Sequence, residues 1–367
     1  MKCLSTILLT LTAMNALCDE IRFFVGTNTR GTGSEGIYTG VLDTNTGAMG
    51  ALTLAAEADN PTFLAPAPGG RFLYAALEGE GGAIGAFAIG NEGKLTALNT
   101  APSGGGGACH VSVDAAGRHV LVANYGGGNV SSLALEPDGT LGASRAFVQF
   151  SGSGPHPLRQ KKSHAHAIYT DPEDRFAYAC DLGSDKVWIF HYDHGRLTPA
   201  DPSAGLAPPG GGPRHLALHP NGRFAYVNNE MGLSVTVFSR DQKSGALTGM
   251  QTLPTSEKPA GTAPGVTTSE IHCHPLGKWL YISSRGDDII AAYAVGEDGR
   301  LTLIQNSPAG VQSPRGMGLD PSGKWIVVAG QKDHRLVSLK IDPASGKLSA
   351  SAHTAEVPAP VCVVFEH

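Results

Sequence analysis

A turn, a basic residue and an apolar strand recur six times along the 367-residue chain, and this recurrence narrows the fold more than any other feature. The unit runs Pro68-Gly69-Gly70-Arg71-Phe72-Leu73-Tyr74, then Ala116-Gly117-Arg118-His119-Val120, then Pro172-Glu173-Asp174-Arg175-Phe176-Ala177-Tyr178. It returns as Pro220-Asn221-Gly222-Arg223-Phe224, Pro275-Leu276-Gly277-Lys278-Trp279 and Pro321-Ser322-Gly323-Lys324-Trp325, with basic residues 46 to 57 positions apart. A second unit, a Gly turn followed by Leu or Met, lies between the copies. It is centred on Gly47, Gly93, Gly139, Gly195, Gly245, Gly299 and Gly346, seven times against six for the first. The missing copy falls where the chain ends meet. The strand Ile21-Arg22-Phe23-Phe24-Val25 has no inner strand before it, and Pro360-Val361-Cys362-Val363-Val364-Phe365 has no strands after it. Pairing the two closes a ring and removes a large exposed sheet edge. The sequence therefore predicts an all-β protein, a seven-bladed β-propeller of four-stranded antiparallel blades, closed by pairing of the C-terminal strand with the N-terminal blade.

Composition agrees. Gly (49) and Pro (24) supply about a fifth of the chain, the turn chemistry of many short strands, and Gly keeps no collagen period. A hydrophobic fraction of 41% is ample for a core and excludes intrinsic disorder. A net charge of -5 with no block of like charges gives no electrostatic support for a nucleic-acid or membrane-surface partner.

Residues 1–18 differ from the rest. Lys2, an uncharged run Cys3 to Leu17, and Ala16-Leu17-Cys18 before Asp19-Glu20 read as a secretory signal peptide, leaving 19–367 as the propeller domain. The run is too short and too rich in Thr to span a bilayer comfortably, and Leu17 disfavours lipidation at Cys18. The expected location is periplasmic or secreted, with no membrane association after cleavage. A retained N-terminal strand would instead leave the protein in the cytoplasm. Cys109, Cys180, Cys273 and Cys362 form no CxxC pair and are expected as free, buried thiols.

Structural positions should look alike from repeat to repeat, and functional ones should not. Nine residues before each basic residue stand Thr62, Cys109, His166, Arg214, Ser269 and Arg315. Seven after it stand Glu78, Tyr125, Leu182, Glu230, Arg285 and Gln331. Hairpin geometry puts both columns at the blade end opposite the Pro/Gly turn, near the central channel. Converging charges cost desolvation and usually serve a ligand. The competing reading is an inter-blade salt-bridge network, such as Arg214 with Glu230. Asn124, Asp181, Asn228, Asn229 and Asp287 lie close by and either orient the site or satisfy loop backbone. The loops Ser151 to Lys162 and Pro254 to Pro264 are inserted segments that would wall the site.

Several chemistries are excluded or weakened. His164/His166 and His272/His274 each place two imidazoles on one strand face, but a third ligand for a catalytic zinc is not evident, and His274 beside Pro275 reads as structural. Gly104 to Gly107 and Gly126 to Gly128 lack the Lys-Ser/Thr of a phosphate loop and read as flexible turns. No Gly-x-Ser-x-Gly elbow is present.

The motifs Ala108-Cys109-His110-Val111, Ala123-Asn124-Tyr125-Gly126-Gly127-Gly128 and Ser163-His164-Ala165-His166 resemble the lactonase family of seven-bladed β-propellers. So do Gly212-Pro213-Arg214-His215, Val227-Asn228-Asn229-Glu230, Ser283-Ser284-Arg285-Gly286 and Ser313-Pro314-Arg315-Gly316. The family includes propeller-type 6-phosphogluconolactonase and carboxy-muconate cycloisomerase. The resemblance spans essentially all of the chain after residue 20, and it implies a site containing His166, Arg214, Glu230 and Arg285.

The expected activity is hydrolysis of a sugar lactone without metal or other cofactor. His166 or Glu230 is the base. Arg214 and Arg285 clamp anionic oxygens, with Arg315, Glu78, Asn124, Asn229 and Gln331 as further substrate contacts. The expected partner is a small lactone or anionic sugar acid. Cycloisomerisation of a muconate-type dicarboxylate, or a non-catalytic secreted binding module, are the alternatives.

Overall fold

Runs of Val, Ile, Phe, Tyr and Ala between Gly and Pro turns form strands because β-branched and aromatic side chains pack well on a pleated surface. The computed structural model describes residues 20–258 and 265–366. The signal-peptide expectation falls on residues outside these. The described chain forms seven four-stranded antiparallel sheets. In blade 2 the strands are Pro61–Pro66, Phe72–Leu77, Ala83–Ile89 and Leu95–Pro102, from the channel outward. Blades 3 to 7 repeat this order over residues 108–149, 165–206, 213–254, 267–308 and 314–356. Blade 1 is made from both chain ends, in the order Pro360–Phe365, Glu20–Thr27, Gly36–Asp43, Thr53–Glu57. Its closing register pairs Phe23 with Phe365 and Val25 with Val363.

Burial falls outward along each blade. Every residue of Phe224–Asn229 in blade 5 is buried, whereas the outer strand Leu247–Pro254 buries only Leu247. Apolar clusters fill the gaps between blades; one joins Phe23 and Val25 of blade 1 to Trp325 and Val327 of blade 7.

The two sequence units interlock across these gaps. The aromatic after the basic residue of one blade lies under the Gly turn of the next. Phe176 meets Gly245, Phe224 meets Gly299, Trp279 meets Gly346 and Trp325 meets Gly47. A Cβ on Gly245 would lie 2.4 Å from the Phe176 ring, and its φ is +75°, so only Gly fits there. Tyr178, Tyr226 and Tyr281 then donate to the carbonyls of Gly245, Gly299 and Gly346 at 3.0, 3.2 and 3.0 Å. Both repeats therefore encode the seam between blades as well as the strands.

At the other end of each blade the inner strand carries a β-bulge. Pro213 pairs with Asn229 and His215 with Asn228, which leaves Arg214 without a ladder partner. The same shift leaves Thr62, Cys109, His166 and Arg315 unpaired in their blades. A bulge re-aims the extra side chain. The glycine loops nearby are not slack, contrary to expectation. Tyr125 donates to Gly107 O at 2.7 Å and Gly127 to Gly106 O at 2.9 Å, and a Cβ on Gly126 would come 2.9 Å from Gly106 O. Glycine lets two backbones touch here.

Candidate functional site

Five bulged inner strands aim their extra residue at the axis, and the loops after the second strands bring the other column beside them. Glu230 is the focus. Its Oε1 lies 3.0 Å from Arg159 Nη2; its Oε2 lies 3.1 Å from Arg214 Nε, 3.4 Å from Arg285 Nη2 and 3.7 Å from His166 Nε2. The four residues drawn from the motifs thus meet around one carboxylate. The Arg214–Glu230 pair anticipated as a structural alternative is present as well.

Charge balance separates the two readings. Arg159, Arg214, Arg285 and Arg315 face two carboxylates at this level, Glu230 and Glu78, the latter acting on Arg315. Arg315 is half-buried, and its guanidinium has no hydrogen bond or ion pair among the described residues. Arg285 Nε is buried and unpartnered. Arg214 uses Nε on Glu230 and Nη1 on Ser269 O, which leaves Nη2 without a protein partner among the described residues. A purely structural network would use its donors. This one leaves several free among the described residues.

The same crowding sets protonation. Burial raises the Glu230 carboxyl, yet Arg285, Arg214 and Arg159 bring it down to about 2, so it stays ionised. Burial, with Arg214, His215 and Arg315, holds His166 well below its ordinary 6.5, so its ring is neutral. Burial lowers Arg285 to about 9 despite Glu230. His166 Nδ1 is buried without a hydrogen-bond partner among the described residues, and Nε2 faces Glu230 Oε2 at 3.7 Å.

The remaining expected residues divide. Glu78 closes the end of blade 2, its backbone N–H on Asn60 O. Gln331 holds the equivalent place in blade 7, its backbone N–H on Ser313 O, with no side-chain hydrogen bond among the described residues. Asn124 and Asn229 are fully buried; their NH2 groups bond neighbouring blade and loop atoms, and both Oδ1 atoms have no partner among the described residues. Asn124 donates to Ser103 O and Asn129 Oδ1 at 3.0 and 2.7 Å, and Asn229 to Ser234 Oγ and Thr236 Oγ1 at 3.0 and 2.9 Å. Neither presents its NH2 to the mouth, because both sit on paired ladder positions rather than bulges. Asp181 likewise accepts from the backbone of His164 and Gly183, and Asn228 ties blade 5 to Ser269 O. Asp287 pairs with Lys258 of the second inserted loop.

The imidazole pairs do not converge on a metal. His164 donates to Tyr125 O, His272 to Met317 O and His274 to Gly323 O, and no cluster of three or more His, Cys, Asp or Glu that would hold an ion occurs among the described residues. His274 is a turn residue, as expected. The four cysteines are free; burial pushes the Cys109 thiol up to about 12.

Two features were not anticipated. The loop over residues 151–162 sends Arg159 across to Glu230, with its guanidinium also donating to Tyr125 Oη at 2.8 and 3.2 Å. Gln160, 1% exposed, pins that loop through Leu182 O and Asp185 Oδ1. One layer deeper in the channel, His215 and Glu270 form a buried pair at 2.7 Å. The basic loop was visible in sequence; the deeper layer had only the adjacency Arg214-His215 to announce it.

Residues 22–365 match the family described as "Lactonase, 7-bladed beta-propeller". The chain is 35% identical to the 6-phosphogluconolactonase of Bacillus subtilis over 347 residues, covering 94% of this chain and 98% of the relative. It is 34% identical to that of Pectobacterium carotovorum over 324 residues, covering 86% and 92%. The solved periplasmic gluconolactonase of Pseudomonas aeruginosa superposes with a TM-score of 0.88 at 30% identity, covering 95% of this chain and 99% of that one.

Proposed function

The chain belongs to the lactonase family of seven-bladed β-propellers, and from that premise we propose that it hydrolyses a sugar lactone at the axial mouth around Glu230, with His166 as general base. The observation that carries this reading is a neutral, buried imidazole beside guanidiniums that keep some donors without a partner among the described residues. Hydrolysis of a cyclic ester needs both features. Water attacks the carbonyl carbon and gives its proton to His166 Nε2. The carbonyl oxygen becomes an oxyanion, which Arg214 Nη2 and Arg315 stabilise in this reading. When the ring C–O bond breaks, the departing alkoxide takes the proton back from His166, and the product is an open hydroxy acid. Glu230 is a poor base, since three arginines hold it to about 2. Its part is to keep the guanidiniums in place and to stabilise the imidazolium while it exists. Each free arginine favours the anionic product as well as the oxyanion.

The substrate class is an aldonolactone. The relatives named above are a 6-phosphogluconolactonase of Bacillus subtilis and a periplasmic gluconolactonase of Pseudomonas aeruginosa. Export, read from the N-terminal segment, favours a lactone met outside the cytoplasm. Among the described residues no helix is long and apolar enough to cross a membrane.

The test is hydrolysis of glucono-1,5-lactone and of its 6-phosphate ester by the purified chain, followed by acid release above the spontaneous rate. His166→Ala should cost about 10²–10⁴-fold in kcat, the usual contribution of a positioned base. A wild-type chain that accelerates neither lactone, or a His166→Ala variant with full activity, refutes the reading.

A further inference from the structure

Beneath the mouth, the channel holds an ionisable layer that the proposed chemistry does not touch directly. Arg214 Nη1 lies 3.2 Å from His215 Nε2 and 3.4 Å from His215 Nδ1. An atom in the ring plane at those two distances would be driven into Cε1, so the guanidinium sits over the imidazole face, a cation–π arrangement. The ring is held from below. His215 Nδ1 lies 2.7 Å from Glu270 Oε1, and that oxygen also accepts from the Ile271 backbone at 3.0 Å. The backbone of His215 is fixed by Asn228 Oδ1 at 2.9 Å, and that of Glu270 by Ser283 Oγ at 2.9 Å. Both side chains are buried, at 1% and 8% exposed.

Protonation follows from this setting. Burial raises Glu270, but His215 and its hydrogen bond bring it down to about 2, while burial lowers His215 to about 4. At neutral pH the pair is a carboxylate accepting the Nδ1–H of a neutral imidazole. A buried carboxylate is costly, and an apolar pair of similar volume would fill this space at less cost. What only the ionised pair supplies is an electron-rich ring and a negative charge that acts on Arg214.

We infer that His215 and Glu270 are positioning residues for the lactonase reaction, fixing the plane and partly offsetting the charge of the Arg214 guanidinium so that Nη2 is aimed at the developing oxyanion. This rests on the lactonase reading given above. Arg214 is then held on three sides: Glu230 on Nε, Ser269 O on Nη1, and His215 on the face. Among the described residues, Nη2 is the one guanidinium nitrogen of Arg214 left without a partner. The charge on the substrate oxygen grows only on the way to the transition state, so loss of the pair should appear in kcat rather than KM. The ionisable neighbours facing His215 are Glu270 from blade 6, His166 from blade 4, His110 from blade 3 and Arg214 beside it, with the Arg315 charge from blade 7 also acting on the ring; the Phe63 ring of blade 2 packs against it.

Two measurements test the inference. Nitrogen-15 NMR of the histidines in the wild-type chain should show His215 neutral, with its proton on Nδ1, from pH 8 to 5. In Glu270→Gln, kcat on the lactone should fall at least tenfold with KM within twofold. The acid limb of kcat/KM should also move to lower pH, because removing an anion from beside these rings weakens proton binding by His166. A folded Glu270→Gln enzyme with wild-type kcat, or with its whole loss in KM, overturns the inference. So does a wild-type His215 that carries its proton on Nε2 or titrates near 6.5. The NMR result needs no folded variant and no turnover, so it decides the pair even if no lactone proves to be a substrate.

Discussion

His166 shows how one residue's chemistry is set by its surroundings. Nearby arginines do not raise its proton affinity; with burial they suppress it, and the ring stays neutral well into the acid range. A base must be unprotonated to act. The acid limb of kcat/KM is therefore expected below pH 6.5. A limb at or above 6.5, measured in a pH-stat series, would contradict the environment described. Glu230→Gln removes the counter-charge to three guanidiniums. It should move that limb further down and lower kcat by about tenfold or more, the order expected when a charged hydrogen-bond network is broken in a reacting site. These residues were legible in sequence because their types differ from repeat to repeat. Asn124 and Asn229 are harder to read from sequence. A polar residue next to a functional column looks the same whether it turns to the mouth or into its own blade, and only the ladder register decides.

At the scale of the element, the bulge is what sequence alternation does not show. A regular strand points neighbouring residues to opposite faces. In blade 5 the bulge lets Arg214 and His215 both turn to the channel, one above the other. In blade 6 Ser269 and Glu270 together face the single residue Ser283, and Glu270 reaches inward. The blade count and the order of strands were readable because the turns repeat; the deeper layer was hidden because its residues occupy positions that a strict alternation assigns to the other face. The inserted loop at 151–162 poses a similar problem, since nothing local says which of its three cations turns inward. Gln160 decides it by anchoring the loop, and through Asp185, which also accepts from the Gly210 and Gly212 backbone, it links the loop to the segment that carries Arg214. Gln160→Ala should destabilise the fold by about 1–3 kcal/mol, because Leu182 O loses its partner in a buried place. It should also raise KM for the lactone by releasing Arg159. Thermal melting read alongside steady-state kinetics checks both, and an unchanged KM would show that Arg159 does not need the anchor.

Across the whole molecule, the ring stands on its seams. Six of the seven Gly turns sit on a ring of the preceding blade, His119 under Gly195 among them, while Gly93 sits on Arg22 and Thr39; at Gly245 the left-handed backbone and the Phe176 ring both exclude a side chain. Gly245→Ala carries about 1–2 kcal/mol of backbone strain. Overpacking against the ring adds about 1–3 kcal/mol. The sum should lower the melting temperature by several degrees. Gly249, four residues on, has open space around its Cβ position and no positive φ, so Gly249→Ala should leave melting nearly unchanged or raise it slightly. Equal melting temperatures for the two variants would mean that the seam tolerates a methyl group and that the repeats mark turns alone.

Acid stability belongs to the same scale, since the buried ionisable groups bind blades to one another. His215 is lowered to about 4 from 6.5, so as pH falls through that window the unfolded chain gains a proton that the folded one does not, and stability declines. Glu230 and Glu270, held at about 2 against 4.5, add stability that is fully present above 4.5 and is lost as pH falls toward 2. Unfolding should therefore show two successive acid losses, the first between pH 6.5 and 4 and the second between 4.5 and 2. Calorimetry across pH 7 to 2.5 reads both. Glu270→Gln should flatten the second arm while leaving the part due to Glu230, which joins blades 4, 5 and 6 through His166, Arg214 and Arg285. A single loss confined to the carboxylate range would mean that the histidine layer takes up protons in the folded ring as readily as in water, and that the axis of the propeller is wetter than its packing indicates.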